Sequence, residues 1–230
     1  MESLKILLAS GNVGKLREID ALTGDLPIEW SGLGDFPSMT IPPEDGATFV
    51  DNAILKAAAA ASQSGLPALA DDSGICVDAL GGGPGIHSAR FAGAHGEDEA
   101  NNDLLLERLV GRPDAERGAH FHCSLAVVSA LDHPLMRSPA PEGVVLITLH
   151  PKLSAGQYAW VAEGQVHGRI AHERAGSGGF GYDCLFHHPE SGGTFAELDS
   201  GVKNQISHRA SALKRVRVLF ELAASVAAGA

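Results

Sequence analysis

Two adjacent aspartates, Asp71 and Asp72, followed by Ser73 and Gly74, form the densest polar cluster in an otherwise apolar stretch of the chain. The flanking residues predict a strand that ends at this cluster, and strand ends are where α/β proteins place their sites. Neighbouring carboxylates that face opposite ways can divide the work: one braces the backbone, and the other binds a divalent cation or takes a proton from water. Taken alone, Asp-Asp-Ser-Gly is also ordinary Asx-turn chemistry, and that is the plainer alternative. A second concentration lies in "KILLASGNVGKLREI", residues 5–19, where an apolar run breaks into a Gly-rich turn ending at Lys15. Gly11 and Gly14 are too close together for a Walker loop, and Leu16 stands where that motif needs a metal-binding hydroxyl. A strand running into a helix start still presents unpaired N–H groups and a positive dipole end, so a phosphate cradle of another kind fits.

Weaker candidates surround these. Glu44 and Asp45, in a Pro-rich connection, can add an oxygen ligand, because Mg²⁺ takes only one or two protein carboxylates beside phosphate oxygens and waters. Asn52 and Lys56 stand four residues apart and share a helix face, where a solvated polar stripe is the ordinary explanation. Lys203, Asn204, Ser207, His208 and Arg209 gather near a helix start; Arg by its fork and Lys as a point charge suit phosphates or the polar edge of a base. A helix cap with a wet first turn explains the same residues. "GGFGYD", residues 178–183, offers Phe180 and Tyr182 as faces for stacking a base, unless both simply pack. His120 and His122, beside Cys123, have no further ligand at zinc-motif spacing, and His187 and His188 have none either. No metal site is expected at either pair.

The elements that must position these groups follow from periodicity. Residues 5–9 suit a buried strand, and Leu16, Ile19 and Leu22 continue at helical spacing. The connection over residues 25–46 is irregular apart from a short strand near residues 28–30, and "TFVDNAILKAAAAASQSG" is a helix starting near Thr48 and stopped by Gly65 and Pro67. "PALADDSGICVDALGG" is expected as strand, polar turn and second strand. "DEANNDLLLERLVG" is a helix ended by Gly111, "AHFHCSLAVVSAL" a core strand, and "QYAWVAEGQVHGRI" a strand pair turning at Glu163 and Gly164. Residues 132–157 read as an extra hairpin or excursion. One more strand follows the Gly-rich turn, then a closing helix with Ser207 as N-cap and an Ala-rich end expected to fray. Helices interleaved with strands, and consecutive strands after residue 119, predict an α/β fold with a mixed central sheet flanked by helices.

Composition bounds the partners. With 230 residues the chain fits a single α/β domain, residues 1–230. Lys plus Arg is 17 against 28 Asp plus Glu, a formal charge of -11, which disfavours a broad nucleic-acid or anionic-membrane surface. Any phosphate handled is expected on a small molecule. Cys76, Cys123 and Cys184 are scattered, which suits a reducing cytoplasm, and no basic-then-apolar leader or membrane-length apolar run is seen.

Five stretches in order carry a family likeness: "SGNVGK" (10–15), "TFVDNAILKA" (48–57), "ALADDSGICVDALGGGPGIHSARFAG" (68–93), "GGFGYDCLF" (178–186) and "TFAELDSGVKNQISHRASAL" (194–213). The chain resembles the inosine triphosphate pyrophosphatase family, enzymes that hydrolyse non-standard purine nucleoside triphosphates such as ITP, dITP and XTP to monophosphate and pyrophosphate. The resemblance implies two lobes with the active site in the cleft between them, a Mg²⁺ cofactor and a homodimer. It implies that Ser10, Gly11, Asn12, Val13, Gly14 and Lys15 bind the triphosphate. Asp72 becomes the general base and a metal ligand, Glu44 a second metal carboxylate, Lys56 a catalytic positioner of the reacting phosphates, and Ser73 a substrate contact. Phe180, Gly181, Tyr182 and Asp183 become the base pocket, with Lys203, His208 and Arg209 completing recognition of phosphate and the purine 6-oxo edge. A donor aimed at position 6 accepts an oxo group and meets a clashing donor in adenine, a mismatch that costs far more than a missing methylene. Residues 132–157 depart from the family as an insertion, and Cys184 and His87 replace its usual proline and tyrosine. The alternatives are a pyrophosphatase for another modified nucleotide, or a nucleotide-binding sensor without turnover.

Overall fold

The computed structural model describes residues 4–130 and 132–228. In chain order they form β1 (Leu4–Leu8), α1 (Val13–Thr23), β2 (Ile28–Gly32), α2 (Phe49–Ser64), β3 (Ala68–Val77), α3 (Asp98–Arg108) and β4 (Gly118–Ala130). Then come α4 (Pro134–Arg137), β5 (Val144–Ile147), β6 (Gln157–Ile170), β7 (Phe186–His188), β8 (Gly193–Thr194), α5 (Ser200–Ile206) and α6 (His208–Ala228), joined in places by short 3₁₀ turns. The sheet is mixed, as expected: β1 pairs in parallel with β2 and β3, whereas β5–β6, β6–β7 and β7–β8 are antiparallel.

The chain divides into two compact units, the first comprising Met1–Asp72, Cys123–Gly164 and Arg209–Ala230, the second Ser73–His122 and Gln165–His208. In the first, strand order runs β2-β1-β3-β4-β6, with β5 also on β6. Strand side chains alternate between faces, and here both faces are buried. Leu4, Ile6, Leu8, Leu69, Leu125 and Trp160 face one core with Ile19 of α1 and Leu213, Val216 and Phe220 of α6. Leu7, Ala68, Ala70, Ala126 and Val161 face another, covered by the alanines of α2. In the second unit, Ile75, Val77, Phe121, Val166 and Ile170 from the strands pack with Leu105 of α3, with Leu109 at its C-cap, and with Tyr182, Leu185, Phe186 and Phe195.

Two sequence expectations are corrected. β3 does not stop at Asp71; it runs unbroken from Ala68 to Val77, so the aspartates lie inside a strand and form no Asx turn. Their side chains are satisfied by buried cations, which leaves the backbone free to stay extended. The extended run continues past Gly74, where a Cβ would come within 2.3 Å of the Gly85 carbonyl oxygen and 2.4 Å of Ser88 Oγ. The Ser88 hydroxyl, in turn, accepts from the Ile75 amide at 2.9 Å. Likewise β6 passes straight through Glu163 and Gly164. The buried–exposed alternation from Ala162 to His167 is uninterrupted, so a turn there would have put the outward Glu163, Gln165 and His167 into the core. The excursion over 132–157 contains α4 and β5, the latter paired with β6. Ser207 is extended and lies between α5 and α6. The Ala-rich end expected to fray is helical to Ala228, and residues 229–230 lie outside the described ones.

Candidate active site

The charged groups of the first unit hang from β3 and α2. Thr48 caps α2: its hydroxyl accepts from the Asp51 amide at 3.1 Å, while Asp51 accepts from the Thr48 amide at 2.9 Å. That reciprocal cap fixes the first turn, and Asn52 and Lys56 then fall one turn apart on the buried face. The expected solvated stripe is not found. Lys56 is only 8 % exposed, and its ammonium donates to Glu44 Oε1 at 2.5 Å, to the Asp71 carbonyl at 2.8 Å and to Asp72 Oδ1 at 3.1 Å. Asn52 Nδ2 donates to Asp72 Oδ2 at 3.2 Å, and Asn52 Oδ1 accepts from the Gly46 amide at 2.8 Å. Asn52 thus joins this cluster, and the four-residue spacing to Lys56 is its signal in the sequence.

The neighbouring carboxylates have opposite surroundings. Asp71 faces Lys15, with which it makes an ion pair, and Arg209, whose Nε donates to Asp71 Oδ2 at 2.9 Å; Cys123 Sγ lies 3.0 Å from the same oxygen. Burial alone would raise the Asp71 carboxyl, but Arg209 and Lys15 together hold it well below the usual carboxylate range. Arg209 also pairs with Glu18, a residue sequence reasoning missed, which sits three positions after Lys15 on α1. Asp72 is the converse case: it is 5 % exposed, and its carboxyl is pushed up to about 6. Burial is the main cause, and the Glu44 charge adds to it against the opposing pull of Lys56 and Lys15.

Two carboxylates leaning on one ammonium leave excess negative charge at Asp72 and Glu44, whereas Asp71 and Glu18 are matched by Lys15 and Arg209. Among the described residues no three His, Cys, Asp or Glu side chains cluster to cage a metal. The donor set does fit Mg²⁺, a hard ion that takes one or two carboxylates and keeps several waters. The glycine turn lies at the start of α1. Asn12 is its N-cap, accepting from the Lys15 amide at 3.1 Å, and the Asn12 amide donates to Ser10 Oγ at 3.2 Å. Gly11, Asn12 and Val13 are exposed, so the helix start is open to an anion.

In the second unit the residues lie on turns. Asp183 Oδ2 accepts from the Phe180 amide at 2.8 Å and from Lys203 Nζ at 2.6 Å, and Lys203 stands 4.7 Å over the Phe180 ring. Tyr182 is in the core, with its hydroxyl donated to the Ser88 carbonyl at 2.8 Å and its acidity suppressed by burial, so Phe180 is the more accessible of the two rings. His208 stacks on Phe121 with centroids 4.8 Å apart. Lys203 sits with Asp183, His208 with Phe121, and Arg209 with the carboxylates Asp71 and Glu18. Ser73 follows Asp72 on β3 and is half-buried.

A buried carboxylate–lysine centre on a mixed α/β sheet, beside a glycine turn that opens a helix, suits a protein that handles phosphate with a divalent cation. The chain belongs to the Ham1 family, whose model matches residues 6–218. It is 46 % identical over 217 residues to a dITP/XTP pyrophosphatase of Pseudomonas syringae pv. tomato, covering 94 % of this chain and 97 % of that one. A dITP/XTP pyrophosphatase of Streptomyces coelicolor is 42 % identical over 221 residues, 95 % and 98 % of the two chains. Among solved structures, a HAM1 protein from Coxiella burnetii superposes with a TM-score of 0.77 at 39 % identity, covering 95 % of this chain and 98 % of that one. The family likeness carried by the five motifs therefore holds.

Proposed function

We propose that this protein hydrolyses non-standard purine nucleoside triphosphates, ITP, dITP and XTP, to the monophosphate and pyrophosphate, and so clears them from the nucleotide pool. The observation that carries the reading is the convergence of the Asp72 and Glu44 carboxylates on the single buried Lys56 ammonium, beside the glycine turn that opens α1. The relatives named dITP/XTP pyrophosphatase support the substrate class.

Asp72 and Glu44 would hold Mg²⁺, which when bound supplies charge neutralisation to the phosphates and acidifies water. The turn Ser10, Gly11, Asn12, Val13, Gly14 and Lys15 binds the triphosphate through backbone N–H groups and the Lys15 ammonium. Asp72 accepts the proton of the attacking water, and Lys56 keeps Asp72 aligned while it offsets phosphate charge. Phosphoryl transfer asks little covalent chemistry of a protein, so positioning and charge supply most of the rate. Ser73 contacts substrate. Phe180 offers the stacking face, Gly181, Tyr182 and Asp183 shape the base end, and Lys203 and His208 supply donors for the 6-oxo edge. Arg209 acts through Asp71, holding β3 where Asp72 works.

The same reading makes the chain one pyrophosphatase domain, residues 1–230, with 132–157 as an insertion, working in the cytoplasm as a homodimer. The free cysteines Cys76, Cys123 and Cys184 suit a reducing compartment, and symmetric dimers are the commonest oligomers. No helix among the described residues is long and apolar enough to cross a membrane. Incubation with ITP and Mg²⁺ is the test. Pyrophosphate with IMP supports the reading, and orthophosphate with IDP overturns it.

A further inference from the structure

We propose that Asp98 and Asn102 of α3 are positioning residues that set the affinity for the purine by holding both sides of Gly181; this rests on reading residues 180–183 as the base-binding loop. Asp98 Oδ2 accepts from the Gly181 amide at 2.8 Å, and Asn102 Nδ2 donates to the Gly181 carbonyl at 3.0 Å. The first bond fixes the peptide that joins Phe180 to Gly181, and the second fixes the peptide that joins Gly181 to Tyr182. Two successive peptide planes are thereby tied to one helix face, since Asp98 and Asn102 stand four residues apart.

Packing does not hold Gly181 itself. It sits at φ +61, the left-handed region that glycine enters at no steric cost, and a Cβ built there would meet nothing within 4 Å. The helix that carries the clamp is rigidly seated: Leu105 and Leu109 are buried in the core with Tyr182 and Leu185, and Asn101 Oδ1 accepts from the Ala92 amide at 2.8 Å. The same helix grips the loop upstream, where Arg174 donates to the Glu99 carbonyl at 3.0 Å and pairs with Asp103 at 2.9 Å. Phe180 and Asp183, the latter bonded to Lys203 of α5, are thus presented by a loop whose shape α3 dictates.

Asn102 is 1 % exposed, and its Oδ1 has no hydrogen-bond partner among the described residues. Stability alone would not keep a buried amide with an idle acceptor, because an apolar residue of similar shape avoids that cost. Its committed donor half, aimed at Gly181, is the reason for its presence.

The test is steady-state hydrolysis of ITP by Asp98→Ala and Asn102→Leu, with inorganic tripolyphosphate as a competitive inhibitor that has no base to read. The expected result is a KM for ITP raised about tenfold, the scale of one lost hydrogen bond, with kcat changed less than about threefold. The inhibition constant of tripolyphosphate stays within about twofold of the parent's, and Asp98→Asn, which keeps an acceptor, restores the KM. An unchanged KM in both variants overturns the inference, as does an equal loss of ITP and tripolyphosphate binding, which marks a merely structural role. A parent enzyme that releases no pyrophosphate from ITP overturns the functional reading itself, and this inference with it.

Discussion

The two units build their polar groups in different ways. In the first, Asp71 and Asp72 lie on β3 and Asn52 and Lys56 on α2, so backbone hydrogen bonds of regular structure set their positions. In the second, Phe180, Gly181 and Asp183 lie on turns, and side chains of Lys203, Asp98 and Asn102 do the holding. Charge differs too. Asp183 pairs with Lys203, whereas both Asp72 and Glu44 lean on Lys56. A balanced buried pair fixes geometry, and an unbalanced one stays hungry for a cation or a proton. On the proposed function, reactivity would belong with Asp72 and Glu44 and recognition with the loop clamped by Asp98 and Asn102.

The sharpest way to break this contrast is at adjacent residues. Asp72→Asn is nearly isosteric, leaves Lys56 paired with Glu44, and removes the only oxygen base the proposed chemistry uses. Turnover of ITP should fall by about 10²–10⁴-fold, the usual contribution of a general base, while equilibrium binding of ITP persists. Pyrophosphate release and calorimetry measure the two sides, and an active variant would place the reactive carboxylate elsewhere. Asp71→Asn should behave in the opposite manner. It leaves the buried Arg209 guanidinium short of a counter-charge, a loss of about 3–5 kcal/mol in unfolding free energy by denaturant titration. A variant of normal stability would show that Asp71 is not the brace.

That one-residue contrast also explains what was legible in the sequence. The capped helix from Thr48 to Gly65 was readable because its signals are local: Thr48 and Asp51 three apart at the start, glycine at the end. The division of labour between paired aspartates was readable as a possibility, since successive strand residues face opposite ways. Which aspartate does which came only from the family resemblance, because the physical answer depends on Arg209, 138 residues away in the chain. The continuity of β3 failed for the same reason. Asp-Asp-Ser-Gly is turn chemistry until buried cations satisfy both carboxylates. In the second unit, Asp98 and Asn102 carry no local signal for Gly181, which they meet about 80 residues later.

A smaller effect tests the origin of the imbalance. The Asp72 carboxyl is raised to about 6 from an ordinary 3.8, so the folded protein holds that proton more tightly than the unfolded chain does. The sign follows: without divalent cation, this group's contribution to stability falls as pH rises from about 4 to about 6 and stays lost above. Bound Mg²⁺ favours the free carboxylate, so activity assayed with the cation should rise at lower pH than this interval. Glu44→Gln removes the negative neighbour and leaves Lys56 to Asp72 alone, so Asp72 should titrate at lower pH. Carbon-13 carboxyl titration of the metal-free protein reads this directly, and an unshifted Asp72 would mean that burial alone sets its acidity.

The gentlest perturbations compare the two construction methods at equal cost. Thr48→Ala removes the cap of α2, about 1 kcal/mol, but Lys56 lies two turns further in and is held by Glu44, Asp72 and the Asp71 carbonyl. Gly181→Ala meets no neighbour and costs only the left-handed backbone, again about 1–2 kcal/mol. Similar losses in denaturant midpoint are therefore expected. Their kinetics should part. Fraying a helix start leaves charges set by the interior of β3 and α2 in place, so KM for ITP stays near the parent's. Strain at Gly181 is relieved by shifting the peptides that Asp98 and Asn102 hold, which displaces Phe180 and raises KM. Equal KM changes in both variants would show that the loop is no more sensitive than the strand-and-helix frame, and the contrast between the units would then be one of charge alone.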